Sequence, residues 1–333
     1  MTNKHPITIV TGCLGSGKTT LLTNLLKNKE LQNAKLLVNE FGSIGLDHHL
    51  LSEIEEHTIL LKGGCVCCTK KELLTQTLND LINESHKSNT YSFERIILET
   101  TGLADPSSIV STVLSNGFLQ QHYYIDCVIT TIDSKNGLIH LEQQQESINQ
   151  IIYADRVVLT KLDLVDDANK KELIKKIKNI NPTVDIIAED ITNLDTKLLQ
   201  QGQQTFDLSK MKAINQNKGI ETTTQSLSIS FIQALDWSAF GLWLSMLLHS
   251  RGNEILRVKG LLDVGENGPV VLNGVQHTIH PPDHLTKWPD EEQLSHLVFI
   301  MRNINPTEIL DSLKQFQSFL GSEVQQLEVV EQL

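Results

Sequence analysis

The stretch Gly12-Cys13-Leu14-Gly15-Ser16-Gly17-Lys18-Thr19-Thr20 decides how the first half of this chain folds. It follows the apolar run Ile7-Thr8-Ile9-Val10 and precedes Leu21, Leu22, Leu25 and Leu26 at helical spacing. That is G-x-x-x-x-G-K-[ST] between a strand and a helix, the context in which the motif makes a phosphate-binding loop. Glycines let the backbone wrap a phosphate with its N–H groups, and the helix N-terminus adds positive potential. Lys18 supplies a point charge for the β- and γ-phosphates, and the Thr19 hydroxyl suits Mg²⁺.

Outward from this loop, strand and helix patterns alternate. Strands are read at 6–11, 35–39, 57–61, 94–99, 124–133, 155–160 and 184–188, and helices at 18–28, 70–86, 106–115, 141–152 and 167–179. Such alternation implies an α/β fold: a P-loop NTPase parallel sheet with helices on both faces. This domain is expected over residues 1–190. Residues 191–224, rich in Asn, Gln, Thr and Lys, read as a linker. A smaller C-terminal α+β domain is expected over 225–333. Its strands fall at 226–231, 255–264, 269–279 and 296–302, and its helices at 237–250 and 307–319. The order β-α-β-β-β-α suggests a ferredoxin-like layer. The apolar face of 237–250 (Trp237, Phe240, Leu244, Leu247, Leu248) reads as domain core.

Composition sets bounds. The 333 residues are 40% apolar with a net charge of −12, which argues against a nucleic-acid partner. No apolar run reaches the ~20 residues a membrane helix needs. The N-terminus leads straight into a strand without an apolar leader, so a cytoplasmic location is expected.

Two further segments point at a nucleotide. Arg95-Ile96-Ile97-Leu98-Glu99 is a buried-strand pattern ending in an acid, followed by Thr100-Thr101-Gly102. Beside a phosphate loop, Glu99 can hold Mg²⁺ through water, and the Gly102 N–H can meet a γ-phosphate. Val157-Val158-Leu159 runs into Thr160-Lys161-Leu162-Asp163. Asp163 is placed to accept from guanine N1–H and its exocyclic amine, a donor pair that adenine lacks. Lys161 can lie along the base. The tetrad resembles N-K-x-D of GTPases, with Thr160 in place of Asn; being shorter, Thr160 is not expected to bridge the same loops. After the second strand, Asn39–Asp47 sits where a nucleotide-sensing loop belongs, with Glu40 and Asp47 as candidate carboxylates.

Lys62-Gly63-Gly64-Cys65-Val66-Cys67-Cys68-Thr69 lies between a strand and a helix. Three thiols in four residues offer soft donors for Zn²⁺, Co²⁺ or Cu⁺, and a helix N-terminus favours their thiolate forms. A closed structural zinc site takes four protein ligands, so at most three suit transient carriage. His277, His280 and His284 are separated by Pro281 and Pro282, and read as a surface loop.

The set G-C-L-G-S-G-K-T-T, N-E-F-G, G-G-C-V-C-C, E-T-T-G-L-A-D-P and T-K-L-D, in this order, resembles the CobW family of metal-linked P-loop GTPases. Leu256–Gly260, Gly274–His277, Trp288 and Leu297–Ile300 resemble that family's C-terminal domain. The resemblance implies a GTPase, converting GTP to GDP and phosphate, coupled to Zn²⁺ or Co²⁺ handling and delivering metal to a client enzyme. It assigns Gly12, Gly15, Ser16, Gly17, Lys18, Thr19 and Thr20 to the phosphate loop and Glu40 to the first switch. Glu99 and Gly102 fall on the γ-phosphate side, Thr160, Lys161 and Asp163 at the base, and Cys65, Cys67 and Cys68 at the metal. Thr19 and Glu99 then serve Mg²⁺, and Lys18, Thr19, Glu40 and Glu99 form the catalytic set. Cys13 stands where Phe is usual and reads as packing. The client is unidentified, a homodimer is a second partner to be considered, and the sequence leaves open whether a partner or dimer supplies an activating arginine. Two other readings stand beside this one: a P-loop kinase or ATPase with a structural cysteine cluster, and a non-catalytic metal-sensing module.

Overall fold

Near-continuous apolar strands need both faces covered, and the sheet built by the first half of the chain satisfies that demand. The computed structural model describes residues 4–38, 58–60, 67–87, 93–200, 224–289, 293–320 and 324–330. They group into two compact units, within 1–176 with 184–202 and within 177–183 with 203–333.

In the first unit the strands are β1 (His5–Thr11), β2 (Ala34–Val38), β3 (Thr58–Leu60), β4 (Arg95–Glu99), β5 (Tyr123–Asp133), β6 (Arg156–Thr160) and β7 (Asp185–Ile187). They form a sheet of order β3-β2-β4-β1-β5-β6-β7, and every pairing is parallel. Helices α1 (Lys18–Leu26), α2 (Cys67–Lys87), α3 (Ser107–Ser115), α4 (Gly117–His122), α5 (Gly137–Gln143), α6 (Gln145–Tyr153) and α7 (Asp167–Ile180) connect them. On one face Leu21, Leu22 and Leu25 of α1 pack with Leu36, Val38, Ile97 and Ile129. Strand alternation turns Ile9, Leu37 and Leu98 to the other face. There the Tyr123 hydroxyl donates to the Leu78 carbonyl of α2 at 2.8 Å.

Register fixes the working edge. Val10 pairs with Glu99, Val38 with Glu99, and Asp133 with Thr160, so the strand ends that carry polar groups lie along one rim. Ligands of open parallel sheets bind outside such carboxyl ends.

In the first unit three expectations change. The helix read over 141–152 is two helices, α5 and α6, broken at Gln144 with φ −127° and ψ 109°. Helix α4 is extra; the Asn116 side chain accepts from the Phe118 and Leu119 N–H groups and starts it anew. The stretch 191–199, read as linker, is packed into the first unit: Leu198 and Leu199 are buried with Val10 and Val158. Arg95 donates to the Leu199 carbonyl at 2.9 Å and pairs with Asp126 at 2.7 Å, which ties that turn to the sheet. The expected linker residues 201–223 lie outside the described residues.

The second unit holds β8 (Thr224–Phe231), α8 (Trp237–Arg251), β9 (Ile255–Leu262), β10 (Val270–Val275), β11 (Thr278–Ile279), β12 (Asp283–His284), β13 (Ser295–Arg302), α9 (Pro306–Leu320) and β14 (Val324–Val330). All pairings are antiparallel, with order β11-β10-β9-β13-β8-β14 and β12 on β10. The core order β9-β13-β8-β14 is that of a split β-α-β sheet, completed by a strand the sequence reading lacked. A register shift between Gln326 and Glu328 interrupts the period-2 pattern of β14 and hides it from a search for alternation. Phe240, Trp243, Leu244 and Leu248 are buried in the core, and the Trp243 indole N–H donates to Ser312 Oγ at 3.0 Å.

Candidate functional site

The turn from β1 into α1 is built on left-handed glycines. Gly12 sits at φ 140° and Gly17, the N-cap of α1, at φ 93°. A Cβ on Gly12 would overlap the Thr131 carbonyl and hydroxyl oxygens, so only glycine fits there. The buried Lys18 ammonium donates to the Gly12 and Cys13 carbonyls, each at 3.0 Å, which holds its charge over the loop. Hydroxyls support the loop from below. Ser16 Oγ and Thr131 Oγ1 lie 2.6 Å apart, and Thr100 Oγ1 donates to Thr11 Oγ1 at 2.7 Å. Gly15 and Thr20 are exposed at the crest and on the first turn of α1.

Glu99, buried at the end of β4, accepts from Thr19 Oγ1 at 2.9 Å. A hydroxyl and a carboxylate in contact form an oxygen donor set that suits a hard divalent cation. Gly102 abuts the loop directly: a Cβ there would collide with the Leu14 amide nitrogen and stand 2.9 Å from Leu14 Cα.

On the other side, Thr160 corrects the expectation that it falls short. Its hydroxyl donates to the Ser16 carbonyl at 2.8 Å and reaches the Ile132 carbonyl at 3.2 Å. The short side chain suffices because Gly17 has no Cβ; one there would press on Thr160 Cγ2 at 3.2 Å. Lys161 takes φ 54°, and its ammonium pairs with Asp133 at 2.7 Å. Burial pushes the Asp133 carboxyl up. Bonds from Lys161, from the Asn136 amide and from the backbone N–H groups of Lys135 and Asn136 outweigh this and hold it below its ordinary value. Asp163 lies on the exposed turn after β6.

Glu40, Asp47 and Cys65 lie outside the described residues. Cys67 and Cys68 open α2, which begins earlier than the expected 70. Among the described residues no group of three His, Cys, Asp or Glu side chains is placed to hold a metal. Cys13 is buried, as a packing residue would be, yet its surroundings are polar: Sγ lies 2.7 Å from Ser147 Oγ and 3.3 Å from Gln144 Oε1. His277 and His284 have hydrogen-bond partners within the second unit. His277 bonds the Leu248 carbonyl and the Asn253 side chain, and His284 pairs with Glu266.

Sequence reasoning missed Asp133 and Gln150. The first carried a usable signal, an acid ending an apolar strand, the same signal that marks Glu99. The second carried none, for its partners are remote in the chain.

A glycine loop between a central parallel strand and a helix, with a lysine over it and a threonine–carboxylate pair beside it, defines a nucleotide-binding protein of the P-loop class. Residues 6–188 match the CobW/HypB/UreG nucleotide-binding domain, and residues 224–317 match the cobalamin synthesis protein cobW C-terminal domain. The chain belongs to the CobW/HypB/UreG family. It is 30% identical over 312 residues to the zinc chaperone YjiA of Escherichia coli, covering 92% of this chain and 97% of that one. It is 27% identical over 314 residues to the zinc-regulated GTPase metalloprotein activator 1 of Schizosaccharomyces pombe, covering 81% and 75%. The fold matches the crystal structure of the Zn(II)-bound YjiA GTPase from E. coli with a TM-score of 0.64 at 24% identity, over 94% of this chain and 99% of that chain.

Proposed function

We propose that this protein hydrolyses GTP and uses the bound nucleotide to control a zinc ion held by Cys65, Cys67 and Cys68, which it hands to a client metalloenzyme. Co²⁺ is the second metal that such thiolates accept. The single observation that carries the GTPase reading is the Thr19–Glu99 bond beside Lys18, on the rim where the strand ends converge. This pair fits Mg²⁺, which supplies charge neutralisation at the phosphates when bound. Lys18 offsets phosphate charge, the loop N–H groups from Gly12 to Thr20 bind and orient the phosphates, and the Gly102 N–H addresses the terminal phosphoryl group. Glu40 belongs to a loop that responds to that group. Lys161 and Asp163 recognise guanine, with Thr160 anchoring their turn to the phosphate loop. The division of labour, nucleotide over 1–190 together with the packed stretch 191–199 and a separate C-terminal domain over 225–333, belongs to the same proposal, as does a cytoplasmic site of action.

The zinc reading draws on the names of the relatives, a zinc chaperone and a zinc-regulated GTPase, together with the C-x-C-C cluster of this chain. The test of the enzyme is turnover. The unmodified chain should release phosphate from GTP slowly without a partner, and Lys18→Ala should abolish release while melting at a similar temperature. Undiminished turnover in that variant overturns the assignment of this loop.

A further inference from the structure

The loop that holds the phosphates and the loop that carries Gly102 are clamped by one buried side chain, Gln150 of α6. It is 1% exposed. Its amide Nε2 donates to the Gly102 carbonyl at 3.1 Å and to the Ala104 carbonyl at 3.3 Å. Its Oε1 faces the Cys13 thiol of the phosphate loop at 3.8 Å. Its own carbonyl accepts from Thr130 Oγ1 at 2.8 Å, which pins α6 to the neighbouring central strand. The side-chain amide therefore spans the two loops, and the backbone carbonyl of the same residue fastens it to a fixed strand. The loops also touch backbone to backbone at Leu14 and Gly102.

We infer that Gln150 is a positioning residue that sets the Gly102 N–H at the height of a third phosphate, so that it selects nucleoside triphosphate over diphosphate without touching either. The physical reason is a difference between ligands. A diphosphate is held by the loop from Gly12 to Thr20 and has no group at Gly102, whereas a triphosphate needs both loops at once. Loosening the Gly102 segment costs binding only for the longer ligand. This inference rests on the nucleotide reading above.

The experiment is calorimetric titration of the full chain with GDP and with a non-hydrolysable GTP analogue, Mg²⁺ present, for the unmodified protein, Gln150→Met and Gln150→Glu. Methionine keeps the volume and loses both donors, while glutamate replaces the donors with acceptors facing two carbonyls. Affinities refer to the fraction of protein competent to bind GDP, so partial misfolding does not enter the ratio. Analogue affinity should fall about tenfold in Gln150→Met, the scale of one buried hydrogen bond, and further in Gln150→Glu, with GDP affinity changed less than about twofold. Equal losses for both nucleotides, or no loss for either, overturn the inference. An unmodified protein that binds neither nucleotide sinks the underlying reading, and this inference with it.

Discussion

Adding one methyl group at Gly102 isolates the contact between the two phosphate-facing loops. The residue is not among those with a left-handed backbone, so alanine can adopt its φ without strain. The whole penalty is steric. The new Cβ would overlap the Leu14 amide nitrogen and lie 2.9 Å from Leu14 Cα and 3.0 Å from the Cys13 carbonyl carbon. All three are backbone atoms, so no rotamer change relieves the clash and the loops must part. Overpacking of this kind costs about 1–3 kcal/mol, offset by about 0.4–1 kcal/mol from a stiffer unfolded chain. A net loss of about 1–2 kcal/mol translates into a Tm lowered by about 2–8 °C for a domain of this size. Thermal unfolding of the full chain reads this directly. Titration with a GTP analogue should show weakened binding in parallel, because parting the loops displaces the Gly102 N–H. A Gly102→Ala protein with unaltered Tm and unaltered analogue affinity would refute the reasoning, since the two loops would then not be packed as described.

Thr160→Val removes the hydroxyl that links β6 to the Ser16 and Ile132 carbonyls, and leaves buried acceptors unmet; stability by urea titration should fall by about 1–3 kcal/mol. Asp133→Asn should be destabilised at neutral pH, where the carboxylate holds Lys161. Because the folded Asp133 value lies below the ordinary 3.8, its contribution is complete above that pH and is lost as the pH falls through the folded value. The stability gap between variant and parent, followed by urea unfolding at a series of pH values, should therefore close only below about pH 4; a gap that stays constant into strong acid would show that the ion pair is not its origin. Asp163→Asn should narrow the preference for GTP over ATP by about tenfold, at the low end for hydrogen bonds to a charged group because Asp163 is exposed. Competition binding with the two nucleotides measures it.

Much of the fold was written locally. The phosphate loop could be read because a glycine pattern, a lysine and flanking periodicities lie within a few residues of one another. Glu99 was legible because an acid closes an apolar strand, and Asp133, which obeys the same rule at the end of β5, shows that the signal was there to use. Gln150 was not legible. On its own helix it reads as one more glutamine beside Ile151 and Ile152, and its partners Cys13 and Gly102 lie far away in the chain. The break at Gln144 escaped notice because apolar residues continue on both sides of it. The burial of Leu198 and Leu199 escaped because a turn docked by Arg95 has no periodicity of its own. Thr160 teaches the reverse lesson: a side chain judged too short reaches its partner because a glycine opposite lets the backbone come near.

The central claim is that nucleotide and metal are coupled, and linkage makes it measurable from either side. Co²⁺ would be titrated into the full chain with GDP and with a non-hydrolysable GTP analogue, following thiolate-to-metal charge-transfer absorption, with Cys67→Ser as the control that loses much of the band. Coupling requires different metal affinities in the two nucleotide states, and a shift of nucleotide affinity by the same factor when the order of addition is reversed. Identical metal affinity in both states would contradict it: the GTPase would remain, the cysteines would be structural, and the chaperone mechanism would fail.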